Sequence, residues 1–177
     1  MRGSSCKTPE LRALPEGTID PEVSVLALWN GETPVAVLSS YACHPQSYYR
    51  LGIPSPDFPG IARFIRGQDV NAALHVHFAG AGGNVAAGKY NDGSQPTRMI
   101  LATRLANAMR EAYDKIERKP LSAGDIGWAS VPVKLPPAAH LTEEDLIAKL
   151  RAEEGKKGYI SHADQLAWLR RSKQGTP

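Results

Sequence analysis

Two short runs near the start of the chain, EVSVLALW (22–29) and PVAVLSSYA (34–42), are rich in apolar and β-branched residues, as half-buried strands are. NGET separates them, and Asn30-Gly31 supplies the positive φ angles of a hairpin turn, so an antiparallel hairpin is predicted. Prolines 54, 56 and 59 exclude a regular element just after this, until Asp57 offers a cap for a short helix running to about Arg66 and ended by Gly67. AALHVHFAG (72–80) reads as a buried strand leading into the glycine-rich AGGNVAAGKYNDG. Ser94 and Pro96 then open the strongest helical pattern, in which Leu101, Leu105, Ala108, Ala112 and Ile116 form one apolar face before Pro120 closes it. IGWASVPVKL (126–135) reads as a further strand, at a sheet edge because of Pro132. LTEEDLIAKLRAEE carries a Thr142-x-x-Asp145 capping signal, and ADQLAWLRR is a second helix beyond the break at Gly155 and Gly158. Strands alternating with helices after an initial hairpin predict an α/β fold, a mixed β-sheet flanked by helices.

The 177 residues suit one domain, with 1–19 as an irregular lead-in and 136–177 as a helical tail. A net charge of +3, with basic residues dispersed along the chain, does not suggest a nucleic-acid partner. The basic WLRRSK segment is read as a solvated helix face. No apolar run is long enough for a transmembrane segment, and no signal-peptide pattern opens the chain. MRGSSC is compatible with an internal start. Cys6 and Cys43 fit no CxxC pattern and are expected as free thiols.

Gly83, Gly88 and Lys89 fit G-x-x-x-x-G-K, but Tyr90 stands where a phosphate loop needs Ser or Thr to hold magnesium. Asn91-Asp92-Gly93 also imposes a turn where that loop needs a helix start, so nucleotide binding at Lys89 is disfavoured. What remains is a loop of small residues after a strand, suited either to a site or to a tight packing turn. His75 and His77 share one face of their strand, where they could begin a zinc site or serve as hydrogen-bonded core histidines. His44 follows a strand and precedes Pro45, which forces an extended or turn geometry and leaves it as a ligand, a base or a turn residue. His140 and His162 are expected at the surface, near helix starts.

The ordered set ACHPQSYY, SPDFPG and GAGGNVAAG, entered through LPEGTIDPEV, resembles the catalytic domain of the neutral/alkaline (non-lysosomal) ceramidases over roughly residues 14–109. The resemblance implies a zinc-dependent hydrolase cleaving the N-acyl bond of a sphingolipid, with zinc held by two histidines, a glutamate and a tyrosine. It maps the second of those histidines onto His44, which turns the open reading of that residue toward a metal ligand. The other ligands have no counterpart here, so the resemblance implies a fragment of a longer catalytic domain. Where the family has a serine in its G-D-V-S-P-N hexapeptide, this chain has Ala86 within Gly83-Asn84-Val85-Ala86-Ala87-Gly88. Serine-dependent chemistry at this position is thereby excluded, and the expected substrate shifts from ceramide to some other small-molecule or lipid-like amide or ester. Backbone amides of Gly82, Gly83 and Asn84 are then the expected oxyanion donors. Asp57 is expected either to orient His44 or to cap its helix, and Tyr48, Tyr49, Asn91 and Asp92 to line the same cleft. Export or membrane association is frequent in that family. The alternative from a different class is a non-catalytic relative that keeps the fold and binds a ligand or partner, as Ala86 and the unmatched ligands suggest.

Overall fold

A computed structural model describes residues 3–48, 51–133 and 136–174. They fall into two compact units, 1–120 and 121–177. In the first unit a short helix α1 (Pro9–Ala13) interrupts the lead-in, which is otherwise irregular. Strands β1 (Ser24–Asn30) and β2 (Thr33–Tyr41) form the antiparallel hairpin, turned at Gly31 with φ 58°. Asn30, expected to share the positive φ, instead ends β1 paired with Thr33, because glycine alone meets the turn's left-handed requirement. A parallel strand β3 (Leu74–Ala79) lies on the other side of β2, giving a mixed sheet in the order β1-β2-β3. Helix α2 (Asp57–Asp69) is the crossover between the two parallel strands, and α3 (Gln95–Asp114) follows the glycine-rich loop. The α/β class and the N-terminal hairpin are therefore as the hydrophobic pattern predicts.

Register decides which side chains meet the helices. Val25 pairs with Ser39 and Ala27 with Val37, while Val37 and Ser39 pair with His75 and His77. This face carries Trp29, whose ring lies 6.0 Å from that of Tyr113 on α3. The core behind it joins Phe58 and Ala62 of α2 to Leu101, Ala102, Leu105, Ala106 and Met109 of α3. Ala62 and Ala102 are both fully buried, so small side chains let the two helices approach closely. Burial of Phe58 alone stabilises by about 1.5–3 kcal/mol. The opposite sheet face leaves Leu26, Leu28, Leu74 and Phe78 exposed. Strand β3, read from its sequence as a buried strand, is therefore covered by helices on one face at most and has no fully buried residue.

Further details depart from the sequence reading. Helix α2 runs through Gly67 to Asp69, because packing against α3 and β3 outweighs the intrinsic cost of one glycine, about 1 kcal/mol. The buried side of α3 includes Ala102, Ala106 and Met109 rather than Ala108 and Ala112, and the helix ends at Asp114, before Ile116. Over 126–133 the chain forms no strand: a 3-10 turn at Ala123–Asp125 leads into unpaired backbone with Trp128 and Val131 exposed, and Lys134 and Leu135 lie outside the described residues. β-branched composition makes a strand only where a neighbouring strand accepts its ladder, and Pro132 removes a donor as well.

In the second unit α4 (Glu143–Ala152) starts as the capping signal predicts, with Asp145 N donating to Thr142 Oγ1 at 3.2 Å. It packs on α5 (Tyr159–Gln174) through Leu146, Leu166 and Leu169. Arg170 and Lys173 reach back to Glu143 at 3.1 and 2.9 Å, so part of the basic C-terminal face is neutralised within the hairpin. His162, expected at the surface, is half-buried and lies 3.4 Å from Glu153. Among the described residues no helix is long and apolar enough to cross a membrane.

His75 and His77 both face α2, and each has a partner inside the fold. His75 Nε2 donates to the Val70 carbonyl at 3.0 Å, and His77 Nδ1 lies 2.9 Å from Ser39 Oγ. Desolvation, with Arg63 as a lesser contributor, holds the His77 pKa below its ordinary value of 6.5. The unfolded chain then takes up this proton more readily than the native one, so neutral His77 favours the fold above pH 6.5 and that contribution fades as pH falls below it. Urea titrations at about pH 7.5 and 5.5 should show a larger loss of stability on acidification for the wild type than for His77→Gln. Equal losses would remove His77 from the pH response.

Candidate functional site

Strand β2 ends at Tyr41, and the next residues run beside the glycine-rich loop. His44 N donates to the Val85 carbonyl at 3.0 Å, and His44 and Ala86 form an isolated parallel bridge. This close approach needs glycine. A Cβ at Gly82 would sit 3.0 Å from Cys43 N, and one at Gly80 would sit 3.1 Å from Ala42 N. Both obstacles are backbone, which cannot swing aside as a flexible side chain can.

The loop also sets the state of the histidine. His44 Nδ1 lies 2.5 Å from the Gly82 carbonyl oxygen. A carbonyl can only accept, so Nδ1 carries the proton, and in the neutral ring Nε2 holds a lone pair. Histidines that ligate metals are commonly fixed in this way, by donating the other ring N–H to a backbone carbonyl. The Gly82 N–H is spent on the Gly80 carbonyl at 2.7 Å, which removes it from the expected oxyanion donors. Gly83 and Asn84 are exposed at the turn that follows.

Asp57 sits beneath the histidine loop, 5% exposed and with φ 54°, a left-handed conformation that is uncommon outside glycine. Its Oδ1 accepts from Ser47 N at 3.0 Å, Ser47 Oγ at 2.5 Å and Phe58 N at 2.7 Å, and its Oδ2 from Tyr48 N at 2.9 Å. The cap position of α2 belongs to Pro56, so Asp57 is the first helical residue. With the His44 ring anchored on Gly82, the Asp57 carboxylate organises the following loop rather than the imidazole. Arg98 of α3 completes the arrangement: Nε donates to the Ser47 carbonyl at 3.0 Å, and the guanidinium lies 3.9 Å from the centre of the Tyr48 ring. Tyr48 and Asp57 border a cleft of about 470 Å³ with Pro45, Gln46 and Leu51. Tyr49 lies outside the described residues.

Asn91 and Asp92 belong to a different support. Asn91 is 1% exposed, and its side chain bonds the Ser4 carbonyl at 2.7 Å and Gly93 N at 2.9 Å, pinning the lead-in to the loop. Asp92 Oδ1 accepts from Ser94 N at 2.8 Å and Thr97 Oγ1 at 2.6 Å, so it steadies the start of α3. Hydrogen bonds from Ser94 and then Thr97 hold the Asp92 pKa well below the usual carboxylate range. Neither residue lines the cleft beside Tyr48. A helix begins only at Gln95, not at Gly88-Lys89, and Lys89 Nζ pairs with Glu16 at 2.9 Å; both facts disfavour a phosphate loop.

A second cavity, of about 600 Å³, opens beside the same loop and is lined by Tyr41, Cys43, Phe58, Val85, Ala86, Leu105 and Arg104 among others. Cys6 and Cys43 are both free and buried. Burial, then the charge of Asp57, pushes the Cys43 thiol up to about 11, so it stays protonated near neutral pH and is neither nucleophile nor ready ligand. Among the described residues no group of three or more His, Cys, Asp or Glu side chains is placed to hold a metal ion. His44 alone among the described residues thus supplies fewer than the three or four ligands of a zinc site.

Arg98 and Ser47 were missed in the sequence. Arg98 lies seven residues before Leu105, in phase with the core face of α3, and a cation in phase with a core face is the signal that could have marked it. In comparisons with known proteins, no family model, no curated protein and no solved structure matched this chain.

Asp57→Ala strands three backbone donors and the Ser47 hydroxyl and places alanine at positive φ, so it should cost about 2–4 kcal/mol in urea unfolding, with Asp57→Asn costing less. A loss below about 0.5 kcal/mol in Asp57→Ala would refute the organising role. Gly82→Ala should lower stability by about 1–3 kcal/mol through the clash with Cys43 backbone. An unchanged melting curve would show that the loop yields freely there.

Proposed function

We propose that this chain contributes to a ceramidase-like, zinc-dependent hydrolase that cleaves an amide or ester bond, with His44 as one metal ligand through Nε2. The observation that carries the proposal is the hydrogen bond from His44 Nδ1 to the Gly82 carbonyl, which leaves Nε2 as the donor atom. The sequence resemblance supports the same assignment, since it reaches His44 through ACHPQSYY and the adjoining GAGGNVAAG. In this reading the remaining donors come from outside the described residues. Zinc held there would supply an activated water for attack on the acyl carbon. The chain's own contribution is to fix the imidazole tautomer and to hold the loop through Asp57, Ser47 and Arg98. Ala86 offers no hydroxyl, so residue 86 takes no part in the reaction through its side chain.

A second reading, a non-catalytic binding domain, is favoured by Ala86 and by the single fitting donor among the described residues. The two separate by experiment. The full gene product, equilibrated with zinc, should bind the metal and hydrolyse members of a panel of N-acyl amides and acyl esters. His44→Ala should lose zinc content and at least about 100-fold in kcat/KM while keeping its circular dichroism spectrum. Hydrolysis that persists unchanged in His44→Ala would sink the ligand assignment. Absence of hydrolysis across the panel would favour the binding domain.

A further inference from the structure

His44 is not among the residues that line the 600 Å³ cavity, although Asn84 and Ala86 of the neighbouring loop are. Its size falls within the range of small-molecule sites, roughly 300–1,000 Å³. The walls are largely hydrocarbon, from Ile19, Val23, Val85, Leu105 and Ala108. Its charged groups are Glu16, Lys89 and Arg104. Lys89 and Glu16 cancel each other at 2.9 Å, and the Tyr90 hydroxyl also donates to the Glu16 carboxylate. These two contacts, the tyrosine's first, lower the Glu16 pKa to about 2. Among the charged side chains that line the cavity this leaves Arg104 unpaired, while the Asp20 and Asp57 carboxylates act on Tyr41 and Cys43 of the same lining. Arg104 is an exposed residue, and its guanidinium lies 5.1 Å from the centre of the Tyr90 ring, an aromatic platform for the cation.

An apolar chamber with a single unpaired guanidinium selects a ligand with an apolar body and one planar anionic head. We propose that this cavity binds a carboxylate on a hydrocarbon chain, its head at Arg104 and its chain against Val23, Leu105 and Ala108. A guanidinium matches a carboxylate through two parallel hydrogen bonds, which an alcohol cannot reproduce. The guanidinium charge repels an organic cation of the same length. The inference uses neither His44 nor a metal, so it stands or falls apart from the hydrolase proposal.

Decanoate is the probe, titrated calorimetrically into the full chain below its micellar concentration, with 1-decanol and decyltrimethylammonium as matched controls. One decanoate should bind, with the alcohol and the cation each at least about tenfold weaker. Arg104→Gln should weaken decanoate about tenfold and leave 1-decanol unchanged, and Ala108→Phe, which fills the chamber, should abolish binding of both. Arg104 is exposed, so its variant keeps the fold. Amide chemical-shift changes on adding decanoate to the wild type should centre on Ala87 and Ala108, which places the ligand without any substitution. Lack of decanoate binding, equal binding of the cation, indifference to Arg104→Gln, or shifts centred elsewhere would each overturn the proposal.

Discussion

The carboxylate of Asp57 holds together three parts of the chain that are far apart in sequence. It gathers the backbone of Ser47 and Tyr48 to the start of α2, and the Ser47 carbonyl in turn receives Arg98 from α3. Asp57 and Arg98 are both buried, yet they communicate through one serine rather than by direct contact. Buried charge is tolerable only when its hydrogen bonds are complete, and here four donors meet the carboxylate. The positive φ of Asp57 is the local strain that the network sustains.

That network fixes the loop on one side of His44, and the glycine-rich turn fixes the other. Gly80 and Gly82 let backbone approach backbone, and the reward is a carbonyl placed to receive Nδ1–H. The tautomer of His44 is therefore set by main-chain geometry and not by a carboxylate. The same turn borders the larger cavity through Asn84, Val85, Ala86 and Ala87, so one loop serves a polar histidine and an apolar chamber.

The sequence was most readable where the physics is local. Gly31 makes the tight hairpin turn by its positive φ, and Thr142 with Asp145 starts a helix by their own hydrogen bond. His75 and His77 fall on one face because a strand repeats every two residues. The same local signals misled at 126–133, where strand composition met no strand to pair with, and at Gly67, where tertiary packing carried the helix onward. His44 stood out because it sits between a strand and a proline, but its tautomer depends on a carbonyl 38 residues away.

Element types, the hairpin, the helix starts and the identity of the chemically able residues were written in the chain itself, because neighbours in sequence decide them. Only the folded arrangement decided that Asp57 serves Ser47 and Tyr48, that Asn91 pins the lead-in, and that Arg104 lines a cavity beside the Tyr90 ring. Each of these depends on which distant groups fill the available hydrogen bonds and charges, and that accounting closes only when the chain is packed.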